Sequence, residues 1–201
     1  MWVLSKKYRA EFAPLWLLIA TERLRWAKEV DSFFGKDWCG MINRLKRLAQ
    51  FLQQVPGGFW ILSRMIGFAV PYTGTMGANI LELSSGSAVV SLPDRRRVRN
   101  HLDSIHALAL GNLGELTATL ALITLCPPHG RFIVTRMETD YLKKARGALL
   151  CTCDIPTDLP WDTVERTAAT AVVTDSTGEV VTRVTVYWKL GGTPPSRLTP
   201  A

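Results

Sequence analysis

No two of the chain's four cysteines are spaced as CxxC. That spacing is the usual mark of a zinc ribbon or a dithiol redox centre, so both classes lose their main support. Cys151 and Cys153 alternate in a segment that reads as a strand and therefore point to one face. Reduced thiols, in the core or at the surface, suit an intracellular protein. No membrane span is expected either. The longest N-terminal apolar run, "APLWLLIA", falls far short of the roughly 20 residues a span needs, and charged residues flank it. "TERLRWAKE" follows it where a signal peptide would place small residues for cleavage. Glu11, Glu22 and Glu29 speak against a mitochondrial presequence, and the expected location, cytoplasmic or mitochondrial, stays open between the two. Acidic residues are also in deficit, 17 against 24 Lys and Arg, giving a net charge of +7. Such an excess favours anionic partners. Nucleic acid is not expected among them, because no aromatic residues interleave with the basic runs as a base-stacking surface requires.

What the chain does have is globular composition, 47% hydrophobic and 20% charged over 201 residues. That suits one core with an extension. Residues 1–55 read as an amphipathic helical extension, with "APLWLLIATERLRWAKEV" and "GMINRLKRLAQFLQQV" carrying apolar residues at helical spacing. "PGG" at 56–58 breaks the pattern, and a further helix, "FWILSRMIGF", ends near Pro71. "GANILEL" and "SAVVSL", joined by Ser-Ser-Gly, read as a strand hairpin. One long apolar helix is expected over 104–125, capped by Asp103 or Ser104 and stopped by "PPHG". Strand candidates follow in "RFIVTRMETDYL", "GALLCTCDI" and "ERTAATAVVTD", and "DSTG" turns the chain into a last strand, "EVVTRVTVYWKL". The order implies an α+β fold in which a curved antiparallel sheet wraps one central helix. The main domain runs over 56–192, and "GGTPPSRLTPA" reads as a disordered tail, placed at 193–201.

The long helix carries the most informative stretch, "NHLDSIHALALGNLGEL". Two glycines in a helix interior each cost about 1 kcal/mol against alanine, and a carboxylate among apolar residues needs a reason to be there. Ile105, Ala109, Leu113, Leu116 and Leu120 form a core stripe, while Ala107, Gly111, Gly114 and Ala118 form a second stripe of small residues with Glu115 at its edge. Either the small residues let a sheet pack closely and Glu115 pairs with an arginine, or they admit a narrow ligand on which Glu115 acts. Spacing leaves the two readings level. His101 and His129 read as surface or loop residues.

"RNHLDSIHALALGNLGEL" resembles the helix motif of hotdog-fold acyl-CoA thioesterases, the phenylacetyl-CoA thioesterase branch in particular. In that motif an Asn is followed by a His six residues on, then two glycines, then an acidic residue nine after the His; Asn100, His106 and Glu115 match it. "VPYTGTMGANILEL" and "YLKKARG" are similar to a little-characterised hotdog branch named after thioesterases. The resemblance covers about 56–190. It implies hydrolysis of acyl-CoA thioesters, with Glu115 as general base or nucleophile. The Ala107 N–H would polarise the thioester carbonyl with help from the helix dipole. Asn100 would hold the carbonyl or the water, and His106 would shape the turn that presents the amide. Gly111 and Gly114 would make room for the acyl-pantetheine chain. A homo-oligomer, dimer or tetramer, with the site between subunits is implied, and no metal or cofactor beyond the coenzyme A of the substrate.

Two positions depart from the family. Ala107 stands where glycine is usual, and Val134, with Thr135 beside it, stands where some relatives place a Ser or Thr. These motivate a rival reading, a hotdog domain that binds acyl-CoA, lipid or a protein partner without turnover. A hotdog dehydratase ranks last, since its Asp…His pattern is not apparent. The basic runs, Arg95, Arg96 and Arg97 before the motif and Lys143, Lys144 and Arg146 after it, are either solvated faces or the mouth that meets coenzyme A phosphates. Trp16 and Trp26 with nearby Arg and Lys allow the N-terminal helices to dock on the core or lie on a membrane surface.

Overall fold

A computed structural model describes residues 38–161 and 165–191. The expected helix "APLWLLIATERLRWAKEV" and the C-terminal tail lie outside these residues. Three helical segments come first: α1 (Trp38–Leu52), α2 (Gly58–Ala69) and a single turn, α3 (Pro71–Gly74). The hairpin β1 (Asn79–Ser84) and β2 (Ser87–Leu92) follows, then the central helix α4 (Ala107–Leu125). The chain ends in four strands: β3 (Arg131–Tyr141), β4 (Leu149–Asp154), β5 (Arg166–Thr174) and β6 (Val180–Gly191). All six strands form one antiparallel sheet in the order β1-β2-β4-β5-β6-β3.

Period-2 burial on the strands matches a half-covered sheet. Ala88, Val90 and Leu92 of β2, Leu149, Cys151 and Cys153 of β4, and Val184, Val186, Trp188 and Leu190 of β6 are all buried. These residues meet α4, whose Leu110, Leu113, Thr117, Ala118, Leu120, Ala121 and Leu122 are buried in turn. By length and composition α4 alone among the described helices would suit a bilayer, with a mean hydropathy of 1.5. The sheet supplies the apolar surroundings instead. Cys151 and Cys153 are core thiols, and burial pushes both up to about 12.

The sequence places the start of the helix three residues too early. Backbone pairing ahead of it prevents helix at 104–106. Arg99 and Ile105 form an isolated antiparallel bridge, the Ile105 N–H donates to the Ala145 carbonyl at 2.8 Å, and the His106 N–H donates to Val98 at 2.8 Å. Asp103, a proposed cap, sits instead at φ 51 in the turn. The cap is His106, extended at φ −65, ψ 140, whose Nδ1 accepts from the Leu108 N–H at 3.1 Å.

The N-terminal extension is not separate from the core along its described part. Ile42 and Leu52 of α1 are buried in the same cluster as Leu62 and Ile66 of α2. Strand β3 is a sheet edge and carries a bulge: Val134 pairs with Trp188 and Arg136 with Tyr187, so Thr135 is the extra residue. Its hydroxyl donates to the Tyr187 carbonyl at 3.3 Å.

Candidate active site on the central helix

Glu115 projects from the middle of α4 and is half-buried. Desolvation raises its carboxyl above the ordinary value, opposed in part by the Thr119 hydroxyl, which donates to Oε1 at 2.9 Å. No arginine or lysine pairs with Glu115 among the described ion pairs. Among the described residues, then, no cation neutralises this carboxylate. What remains is a carboxylate held at raised proton affinity by its surroundings, a condition that suits a general base.

The small-residue stripe divides. A Cβ at Gly114 would run into the Val184 side chain, so this glycine exists to let α4 approach β6. It is buried, and its expected role as a substrate-lining residue is corrected to packing. A Cβ at Gly111 would meet only Thr139 Oγ1 at 3.8 Å, an ordinary contact. Gly111 is the member of the pair with room beside it.

Ala107 is the first residue of the helix, so its N–H has no intrahelical acceptor, and the His106 ring accepts from the next amide along, that of Leu108. The Ala107 carbonyl accepts from the Tyr141 hydroxyl at 3.1 Å, tying the first turn to β3. Asn100 has a different task from the one expected. Its Oδ1 accepts from the Leu102 N–H at 2.9 Å and the Ser104 hydroxyl at 3.1 Å, which builds the 100–104 turn; only its NH₂ is left for a ligand. Thr119 and Tyr141 were not singled out in the sequence. Thr119 was legible as the i+4 neighbour of Glu115, whereas Tyr141 reaches the helix only through β3 pairing.

Both basic runs meet beside this helix start. Asp94 joins them, accepting from Arg99 Nε at 2.6 Å and from the Gly147 N–H at 3.0 Å. Arg95 and Arg97 converge over Gly77, where Arg97 occupies the space a side chain would take and Arg95 Nη1 lies 2.9 Å from the same point. Neither makes an ion pair among the described residues, and Arg96, Lys144 and Arg146 are exposed as well. Lys143 is the exception. Its ammonium is bound by Asp175, at 3.1 Å, and by Glu179 on the turn between β5 and β6, which takes it out of the basic mouth.

One separation limits what a single chain can do. Ala107 and Glu115 are eight residues apart on one helix, about 12 Å along its axis. Cavities of about 340 and 230 Å³ lie against α2, and Glu115 and His106 line neither.

A family model described as a domain of unknown function (DUF4442) matches residues 58–190, and the chain belongs to that family. No curated protein matches it. A crystal structure of a genomics target is 29% identical, with a TM-score of 0.65 over 74% of this chain and 99% of its own. A Pseudomonas aeruginosa protein of unknown function, described as a "Probable Thioesterase", is 20% identical, with a TM-score of 0.60 over 65% of this chain and 94% of its own. A thioesterase from Staphylococcus aureus, solved in a mutant form, is 17% identical, with a TM-score of 0.53 over 62% of this chain and 99% of its own. The fold is thus the hotdog fold, as the α+β reading expected.

Proposed function

We propose that the protein hydrolyses acyl-CoA thioesters to free acid and coenzyme A. The observation that carries this reading is Glu115: a desolvated carboxylate on the central helix, bonded to the Thr119 hydroxyl and without a cation partner among the described residues. Solved structures sharing the fold bear thioesterase names, which supports the same reaction class. Glu115 takes a proton from water as that water attacks the thioester carbonyl, and the thiolate of coenzyme A leaves and is protonated; in the alternative Glu115 attacks the carbonyl itself, the thiolate leaves, and water then hydrolyses the acyl–Glu115 anhydride to the free acid. A helix-start amide such as that of Ala107 stabilises the oxyanion, a contribution of roughly 10²–10³ in rate.

A distance of about 12 Å along one helix is too long for both groups to act on one carbonyl. The reading therefore requires a second copy, so that Glu115 of one chain faces Ala107 of the other. Edge strand β3 suits such an assembly, with Ile133, Met137 and Tyr141 64%, 41% and 52% exposed. Arg95 and Arg97, with Arg96, Lys144 and Arg146 near them, supply the charge to meet coenzyme A phosphates. No further cofactor and no metal takes part. The rival is a domain that binds acyl-CoA without turnover, motivated by the Ala107 methyl beside the proposed oxyanion amide.

Thiol release from a panel of acyl-CoAs, compared between the wild type and Glu115→Gln, tests the proposal. Turnover that falls by about 10² or more in the variant supports it. Binding without thiol release in both folded proteins replaces the enzyme with the binding module.

A further inference from the structure

We infer that the acyl chain of the substrate runs along α4 into the smaller cavity beside α2, and that Ile66 limits how far it reaches. The inference rests on the hydrolysis proposed above, since Glu115 places the thioester carbonyl from which the chain departs. Glu115 lines neither cavity, but Leu116, the next residue of α4, lines the smaller one. Asn112, one turn before Leu116, accepts from the Thr73 hydroxyl at 3.2 Å, which ties α3 to the helix at the wall of that cavity. The larger cavity takes up the same helix farther on, at Leu120, Ile123 and Thr124. From Leu116 to Ile123 is about 10 Å along the axis, so the two spaces follow each other away from Glu115 toward the C-terminal end of α4.

Of the residues that line the two cavities, Ile66 alone is shared. It is 8% exposed and stands between them as a partition. The polar groups of the smaller cavity are engaged elsewhere. The Ser63 hydroxyl donates to the Phe59 carbonyl at 2.6 Å, and Arg64 Nη2 donates to the Ala78 carbonyl and to Asn79 Oδ1, each at 2.9 Å. Arg64 Nε has no partner, but it is closed off from solvent and so does not face the open space. Ile66, Phe68, Ile80 and Leu116 are left as the surface for a ligand, and the acyl chain is the part of the substrate that suits them. At about 30 Å³ for each water-sized group, 230 Å³ holds a tail of roughly seven carbons. Removing the partition would add 340 Å³, room for roughly eleven more. The substrates are therefore short- to medium-chain acyl-CoAs.

The test measures thiol release by the full chain from a series of esters, butanoyl- to hexadecanoyl-CoA, and binding of the same esters to Glu115→Gln by titration calorimetry. The wild type should lose about tenfold or more in kcat/KM between octanoyl- and dodecanoyl-CoA. Ile66→Ala should regain about tenfold for dodecanoyl-CoA and longer esters. Adding Ala49→Phe, which fills the larger cavity, should remove that gain. Ile66→Val should shift the profile the same way by less, and it carries the test if circular dichroism shows the alanine variant unfolded. In the Glu115→Gln background, the change at Ile66 should move the tightest binding to longer chains. If no thiol is released yet binding moves in this way, the hydrolysis proposal fails and the partition stands. If thiol is released but the wild type and the folded Ile66 variants share one length profile, hydrolysis stands and the inference is overturned. It is overturned as well if the wild type handles hexadecanoyl-CoA as readily as octanoyl-CoA, or if neither turnover nor binding responds to Ile66.

Discussion

The Thr119 hydroxyl reaches back one helical turn to Oε1 of Glu115, at 2.9 Å, and it alone opposes the desolvation of that carboxylate. Removing it should therefore have a readable sign. Thr119→Val is expected to raise the Glu115 carboxyl further and to move the acidic limb of the rate profile to higher pH. A pH–kcat/KM profile of both proteins checks this, and an unmoved limb would assign the limb to another group.

A raised carboxyl in the folded state also sets the pH dependence of stability. The folded protein holds the Glu115 proton at pH values where the unfolded chain has released it, so this group lowers stability as pH rises from about 4.5 through the folded value. Glu115→Gln should accordingly raise Tm more at pH 7.5 than at pH 4, by calorimetry at both values. The same variant should lose hydrolysis, separating the stability effect from the chemistry.

The two glycines of α4 should respond in opposite ways. Gly114→Ala forces a methyl into Val184 and should cost about 1–3 kcal/mol, whereas Gly111→Ala meets no clash and should gain up to about 1 kcal/mol of helix propensity. Urea melts of the two variants decide it. If Gly111 borders the acyl-pantetheine path, its stable alanine variant will show a raised KM.

His106→Ala removes the side-chain cap from α4 and should destabilise by about 1 kcal/mol. The Leu108 amide should then exchange with deuterium faster, as seen by NMR, while amides near Leu120 keep their protection.

Core thiols give a separate check on the sheet. Cys126 is pushed up to about 11 and Cys151 and Cys153 to about 12 by burial, so these three should react with an aromatic disulfide reagent only on unfolding. Rapid native reaction of Cys151 or Cys153 would contradict the packing of β4 on α4, and that of Cys126 the packing at the C-terminal end of α4.

The sheet and its hairpin were legible because strand alternation and turn chemistry agree in each segment: Ser-Ser-Gly between β1 and β2 and "DSTG" between β5 and β6 both turn where expected. Glu115 was legible because a carboxylate in so apolar a helix is conspicuous. The helix start was not, since the pairing that holds 105 and 106 extended comes from Val98 and Ala145, the latter forty residues from Ile105. Nor could spacing tell the two glycines apart. Only the position of Val184 on a distant strand assigns Gly114 to packing. Lys143 failed for the same reason, since its acidic partners lie on the turn between β5 and β6, 32 and 36 residues further along the chain.

The bulge on β3 fixes the phase of everything beyond it. Before Thr135, the residues facing buried partners are Phe132 and Val134; after it they are Met137, Thr139 and Tyr141, opposite Val186, Val184 and Thr182. A deletion of Thr135 would shift that phase by one residue and turn Tyr141 to the other face of the sheet. The strand would still pair with β6, but its link to the Ala107 carbonyl would be lost. One unpaired residue thus keeps the outer strand in step with the central helix, like a leap day inserted to hold a calendar to its season.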